Sequence, residues 1–222
     1  MEKKALLLGS TGLIGKSCLD LLAHNNIYSQ VEVWVRKPSL VTDKNFTEKV
    51  IQFEDIPELP CVRSDHLFCC LGTTLRKAGS RDAFRLVDVE YVAALAKLAE
   101  RSGTHTFLVV SSVGANPAST NFYLRTKGEM EEAVKQCRVP SVYIFRPSVL
   151  LGKRTESRPA ESVAKVAMQL YSPFFLGSIR KYRPIRAGTV ARAMIACAKR
   201  SFPGIHVLES AEIEETGGPM NN

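Results

Sequence analysis

Three groups of residues have the types and the spacing to do chemistry. Tyr123 and Lys127 stand four apart in Tyr123-Leu-Arg-Thr-Lys127, which on a helix sets a phenol and an ammonium on one face, one turn apart. A cation in that place favours the phenolate, so Tyr123 reads as a group that gives and takes a proton. Ser111 and Ser112 close an apolar run shortly before it. A serine there can hydrogen-bond a substrate carbonyl while Tyr123 protonates its oxygen as hydride reaches carbon. The third group is Gly9-Ser10-Thr11-Gly12-Leu13-Ile14-Gly15, a Gly-x-x-Gly-x-x-Gly run. It offers a tight turn, a backbone that can touch a pyrophosphate, and a helix N-terminus whose free N–H groups attract phosphate.

Spacing alone is weak evidence. In a chain with six tyrosines and fourteen lysines, chance alone gives about 0.4 Tyr-x-x-x-Lys pairs. Position gives these residues their weight. Lys4–Leu8 reads as a strand that runs into the glycine loop, and the periodicity of 12–23 predicts the helix that follows. Further strands are expected at 31–35, 50–53, 65–71, 106–110, 141–145 and 204–208, with helices over 80–101, 122–137, 162–170 and 189–199. The strands are continuously apolar, which predicts burial on both faces. Alternation with helices gives an α/β protein with a doubly wound, mainly parallel, Rossmann-like sheet. The expected domain spans 1–210, with a substrate-side segment at about 152–188 and a flexible tail at 211–222.

The end of the second strand selects the cofactor. An NAD site needs an acid there for the ribose hydroxyl, but Arg36 and Lys37 occupy the place and Glu32 lies too early. Two cations suit a 2′-phosphate, so the expected cofactor is NADP(H).

Composition excludes several classes. The 222 residues are 45% hydrophobic and 23% charged, which argues against disorder, collagen and coiled coil. No stretch approaches the 18 or so apolar residues of a membrane span. The apolar run Ala5–Leu8 is shorter than a secretory leader requires, and the expected location is cytoplasmic. Six cysteines without a Cys-x-x-Cys spacing read as buried reduced thiols, and four scattered histidines give no metal site. The net charge is +8, and Arg138–Arg200 holds 13 Lys or Arg against Glu156 and Glu161. Those cations are dispersed without aromatic partners, so a solvated basic face is expected rather than a nucleic-acid surface.

The glycine loop, Ser111-Ser112 and Tyr123-x-x-x-Lys127 resemble the short-chain dehydrogenase/reductases. Further segments narrow the resemblance to the atypical branch typified by the Tat-interactive-protein oxidoreductase. They are Cys69-Cys-Leu-Gly-Thr-Thr74, Val87-Asp88 with Tyr91-Val92, Lys127-Gly-Glu129, Phe145-Arg-Pro147 and Glu156-Ser-Arg-Pro159. The resemblance implies an NADPH-bound Rossmann fold. It places Ser10, Thr11, Gly12 and Ile14 on the diphosphate, Arg36 and Lys37 on the 2′-phosphate, and Leu71 and Gly72 by the adenosine. It puts Lys127 on the nicotinamide ribose and adds Leu150 and Arg158 as cofactor contacts. Ser112 takes the catalytic serine position, with Ser111 next. The expected function is NADPH-dependent reduction of a carbonyl-like small molecule, in a monomer. The alternative is a non-catalytic NADPH-binding regulator or scaffold acting through protein partners. Tyr171, Phe174, Phe175, Leu176 and Tyr182 point to an apolar substrate lining.

Overall fold

The computed structural model describes residues 2–38, 46–151 and 183–218. Arg158, the helix expected at 162–170 and most of the substrate-side segment, including its aromatic residues, lie outside the described residues. Seven parallel strands form one sheet in the order β3-β2-β1-β4-β5-β6-β9: β1 Lys3–Leu8, β2 Tyr28–Val35, β3 Phe46–Val50, β4 His66–Cys69, β5 Thr106–Val110, β6 Ser141–Arg146 and β9 Gly204–Glu209. A separate two-stranded pair joins β7 Leu150–Leu151 to β8 Ile185–Arg186. The expected doubly wound parallel sheet is the observed one.

Period-two alternation divides the core between the two faces of the sheet. Leu7 of β1 and Phe68 of β4 pack with Ile14, Cys18 and Leu22 of helix α1 (Leu13–Ala23) and with Val190 and Met194 of α6 (Ala187–Arg200). Leu6 and Leu8 point the other way, to Leu95 of α4 (Tyr91–Arg101) and Met130 of α5 (Phe122–Lys135). Two short helices, α2 (Leu75–Ala78) and α3 (Arg81–Arg85), precede α4, and a π-helical turn at Leu86–Glu90 joins α3 to it. No described helix is long and apolar enough to cross a membrane.

Three expectations need correction. The third strand is Phe46–Val50, and the 50–53 stretch leads into a 3-10 helix at Phe53–Glu58. Ile51 and Phe53 are apolar because that turn buries them, not because they pair in the sheet. The tail from 211 is not loose at its start: Ser210–Gly217 is helix α7, closed by a capping box between Glu209 and Glu212. Ile213 is fully buried, and Gly217 packs against the α6 backbone, so the domain runs past 210. All six cysteines are free, but Cys61 is exposed.

A polar cluster lies at the amino ends of the strands, away from the glycine loop. The buried Tyr28 hydroxyl and His66 Nδ1 are 2.7 Å apart, and His66 Nε2 lies 3.2 Å from Lys3 Nζ. Burial, then the Lys3 ammonium, pushes the His66 imidazole down to about 4. Its folded-state pKa is therefore below the unfolded value of 6.5, and the stability tied to it is lost as pH falls from 6.5 towards 4. Urea unfolding at pH 7 and pH 5 should show a loss of about 2 kcal/mol from this group. His66→Asn should flatten that slope, and an unchanged slope would remove His66 as its cause.

Candidate functional site

The site gathers at the carboxyl edge of the sheet between β1 and β4, where strand order reverses and an α/β sheet leaves a crevice. The glycine loop occupies it by close approach of backbones. Gly9 has φ +82°, and a Cβ on it would lie 2.3 Å from the Cys70 carbonyl oxygen. A Cβ on Gly15 would lie 2.0 Å from the Gly9 oxygen. Gly12 donates to Gly9 across the turn at 3.0 Å and is the N-cap residue of α1. That helix begins with no side-chain cap and no acid in its first turn, leaving its N–H groups for an anion. Ser10, Ile14 and Gly15 are buried, Leu13 is half-buried and Thr11 is exposed.

Arg36 and Lys37 follow β2 directly and are exposed at the same edge, since Trp34 is in register with Leu8 just before the loop. The Arg36 guanidinium rests 5.7 Å from the Phe53 ring centre. Glu32 accepts from the Trp34 indole at 2.5 Å. Glu54, close enough to Arg36 for its charge to be felt, accepts from the Tyr91 hydroxyl. That hydrogen bond first, then contacts including Arg36, holds the Glu54 carboxyl below its ordinary value.

Asn121 caps α5 by accepting from Leu124 N–H at 3.1 Å, which sets Tyr123 and Lys127 in the first turns. A Cβ on Gly128 would meet the Pro117 nitrogen at 2.2 Å, so α5 lies flush on the loop leaving β5. The Tyr123 ring packs 6.0 Å from Phe84 and keeps 41% of its surface exposed. Lys127 is buried, and its Nζ is 2.7 Å from Asp88 Oδ1. Burial pulls the Lys127 ammonium down, but Asp88 and then Tyr123 outweigh it and leave its pKa above the ordinary lysine value. Leu71 is buried, and a side chain at Gly72 would touch Asp88 and Lys127 at 3.6 and 3.9 Å. The loop after β4 therefore belongs to the same site. Leu150 is half-buried in β7, paired with Ile185.

The two serines have different surroundings. Ser111 is buried and donates to Glu131 Oε1 at 2.5 Å. Glu131 also takes two hydrogen bonds from Arg146, at 2.9 and 2.6 Å, and Arg146 reaches Glu209 at 3.0 Å. Ser111 is thus engaged in a strut that ties β5, α5, β6 and β9. Among the described residues Ser112 makes only a 3.4 Å contact, with the Val113 carbonyl, and is the serine with a hydroxyl to offer.

Sequence reasoning quoted Asp88 and Arg146 within the resembling segments but gave no role to them or to Glu131. Asp88 had a legible signal: it follows Phe84 by four on the apolar side of a helical stretch that continues with Val92 and Leu95, where an acid is out of place. The Glu131–Arg146 pair had none, because its partners come from different elements.

No protein-family model matches the chain. The rat protein HTATIP2 is 38% identical over 169 residues, 74% of this chain and 69% of its own. The mitochondrial protein FMP52-1 of Scheffersomyces stipitis is 32% identical over 224 residues, 95% of this chain and 97% of its own. Among solved structures, the human epimerase family protein SDR39U1 with NADPH superposes with TM-score 0.63 at 17% identity, covering 94% of this chain and 77% of that one. Bordetella bronchiseptica WbmH with NAD+ superposes with TM-score 0.70 at 14% identity, covering 97% and 79%. These structures share the fold. The FMP52 relatives carry the word mitochondrial in their names, which overturns the cytoplasmic expectation. The length of one apolar run says nothing about that compartment.

Proposed function

Because this chain belongs to the family of HTATIP2 and the FMP52 proteins, atypical short-chain dehydrogenase/reductases with a Rossmann fold, we propose that it binds NADPH and reduces a carbonyl-like small molecule. One observation carries the reading: an exposed phenol, Tyr123, stands one turn from a buried, charge-paired Lys127 at the edge that holds the glycine loop. The residues fit a dinucleotide. Gly9, Gly12 and Gly15 leave a cradle that side chains would fill, and α1 presents an uncapped N-terminus to a diphosphate. Ser10, Thr11, Leu13 and Ile14 line that loop, Leu71 and Gly72 flank it, and Leu150 stands in the small β7–β8 pair.

NADPH supplies the hydride when bound. Ser112 holds the substrate carbonyl by donating its hydroxyl, and Tyr123 gives its proton to the carbonyl oxygen as charge develops there. Lys127 favours the phenolate that remains and binds ribose hydroxyls. A pure sensor has no chemical need for the phenol, which favours the enzyme over the scaffold. The test follows NADPH absorbance with aldehydes, ketones and quinones. Consumption that depends on Tyr123 supports the enzyme, and binding without turnover across the panel would leave the sensor.

The cofactor preference is testable by itself. Glu32 and Glu54 are engaged elsewhere, and Arg36 and Lys37 are exposed cations at this edge. NADPH should bind at least tenfold more tightly than NADH, about 1.4 kcal/mol, by fluorescence titration. Arg36→Gln with Lys37→Gln should erase most of that ratio. Equal affinities in the unmodified protein would refute the NADP assignment.

A further inference from the structure

We propose that Asp88 is a positioning residue of this site: its carboxylate is the counter-ion that keeps the buried Lys127 charged and fixed in place. The inference deepens the reductase reading and rests on it for its consequence, since only a charged Lys127 favours the Tyr123 phenolate.

Geometry carries it. Asp88 Oδ1 lies 2.7 Å from Lys127 Nζ, and the two side chains are 1% and 5% exposed. No other donor among the described residues reaches Oδ1. The second oxygen accepts from Thr73 N–H at 2.8 Å. One carboxylate therefore fastens both the ammonium on α5 and the loop that leaves β4 after Gly72. The π-helical turn Leu86–Glu90 carries Asp88, and such single turns recur where a helix serves a functional site.

An ammonium shut away from water gives up its proton readily unless a negative charge stands beside it, and full burial alone is worth up to 3–5 pH units. Lys127 faces Asp88 from the π turn, Tyr123 from its own helix and Cys69 from the end of β4. Burial pushes the Cys69 thiol up to about 12, so it stays neutral and cannot replace the carboxylate. Among the neighbouring charges, Arg85 pairs with Glu129, Arg81 and Arg125 lie over the Phe122 ring, and Glu131 is taken by Ser111 and Arg146. Asp88 is the carboxylate in contact with the Lys127 ammonium among the described residues.

The 222-residue chain labelled with ¹³Cε-lysine tests this by magnetic resonance, with Lys127→Met identifying the signal. Asp88→Asn should lower the pH at which Lys127 titrates by about one unit or more. An Asn variant with an unchanged circular dichroism spectrum and an unmoved Lys127 titration would overturn the proposal. Should that variant be too unstable to titrate, thermal unfolding decides. Asp88→Asn alone leaves a buried charge unpaired and should lower the midpoint by roughly 6–20 °C. Asp88→Asn with Lys127→Met should recover most of that loss, because no charge is then left alone. No recovery would mean that Asp88 merely holds Thr73, and the proposal would fall. Neither measurement uses turnover, so failure here leaves the reductase reading standing on the Tyr123 assay.

Discussion

Gly15→Ala and Gly9→Ala should each cost the fold about 3 kcal/mol or more and abolish measurable nucleotide binding. At position 15 the new methyl would sit 2.0 Å from the Gly9 oxygen, and both groups belong to backbones with no side chain to swing aside. Helix α1 would have to back away from the end of β1, and the N–H groups it presents to a phosphate would move with it. At position 9 the φ of +82° adds strain to a 2.3 Å collision with the Cys70 carbonyl. Gly79 is the control. It has φ +81° with nothing within 4 Å of its would-be Cβ, so Gly79→Ala should cost only the conformational strain, about 1 kcal/mol. Thermal unfolding and NADPH titration on the three variants separate the effects. If Gly79→Ala matched the other two, strain rather than close approach would explain all three, and the loop's role as a cradle would lose its support.

What could be read in the sequence follows from what kind of interaction fixes each feature. Buried parallel strands must be apolar on both faces, so β1, β4, β5 and β6 are legible as runs such as Ala5–Leu8 and Thr106–Val110. Strand β3 is an edge with Thr47, Glu48 and Lys49 between its ends, and it has no such run. The apolar residues just after it, Ile51 and Phe53, drew the strand in the wrong place. Helix α7 has one fully buried anchor, Ile213, and the Gly217-Gly218-Pro219 sequence hid it, although the Glu209-x-x-Glu212 box marked its start. In the site, the Tyr123–Lys127 pair is legible because both residues share one helix face. The resemblance put Ser112 ahead of Ser111, and the fold adds a physical reason in Glu131, a residue on α5 whose carboxylate takes the first hydroxyl. Asp88 meets Lys127 across 39 positions of chain, a contact that exists only once the sheet has brought α5 beside the π turn.

Tyr123→Phe should lower the reductase rate by roughly 10²–10⁴-fold while leaving NADPH affinity nearly unchanged, because general acid catalysis is typically worth that much. The ring remains, and its packing on Phe84 needs no hydroxyl. The Asp88–Lys127 ion pair also keeps both partners. What disappears is the proton donor, which matters only when charge develops on the substrate oxygen, so the loss should appear in kcat rather than KM. Lys127→Met behaves differently under the same mechanism. It removes the cation beside the phenol and the ribose contact together, so rate and cofactor affinity should both fall. It also strands the Asp88 carboxylate in a buried place, which adds a loss of stability that Tyr123→Phe does not share. A Phe variant that reduces substrate at the unmodified rate would take the proton-donor role away from Tyr123. Ser112, the serine that Glu131 does not engage, would then be the donor to test by Ser112→Ala.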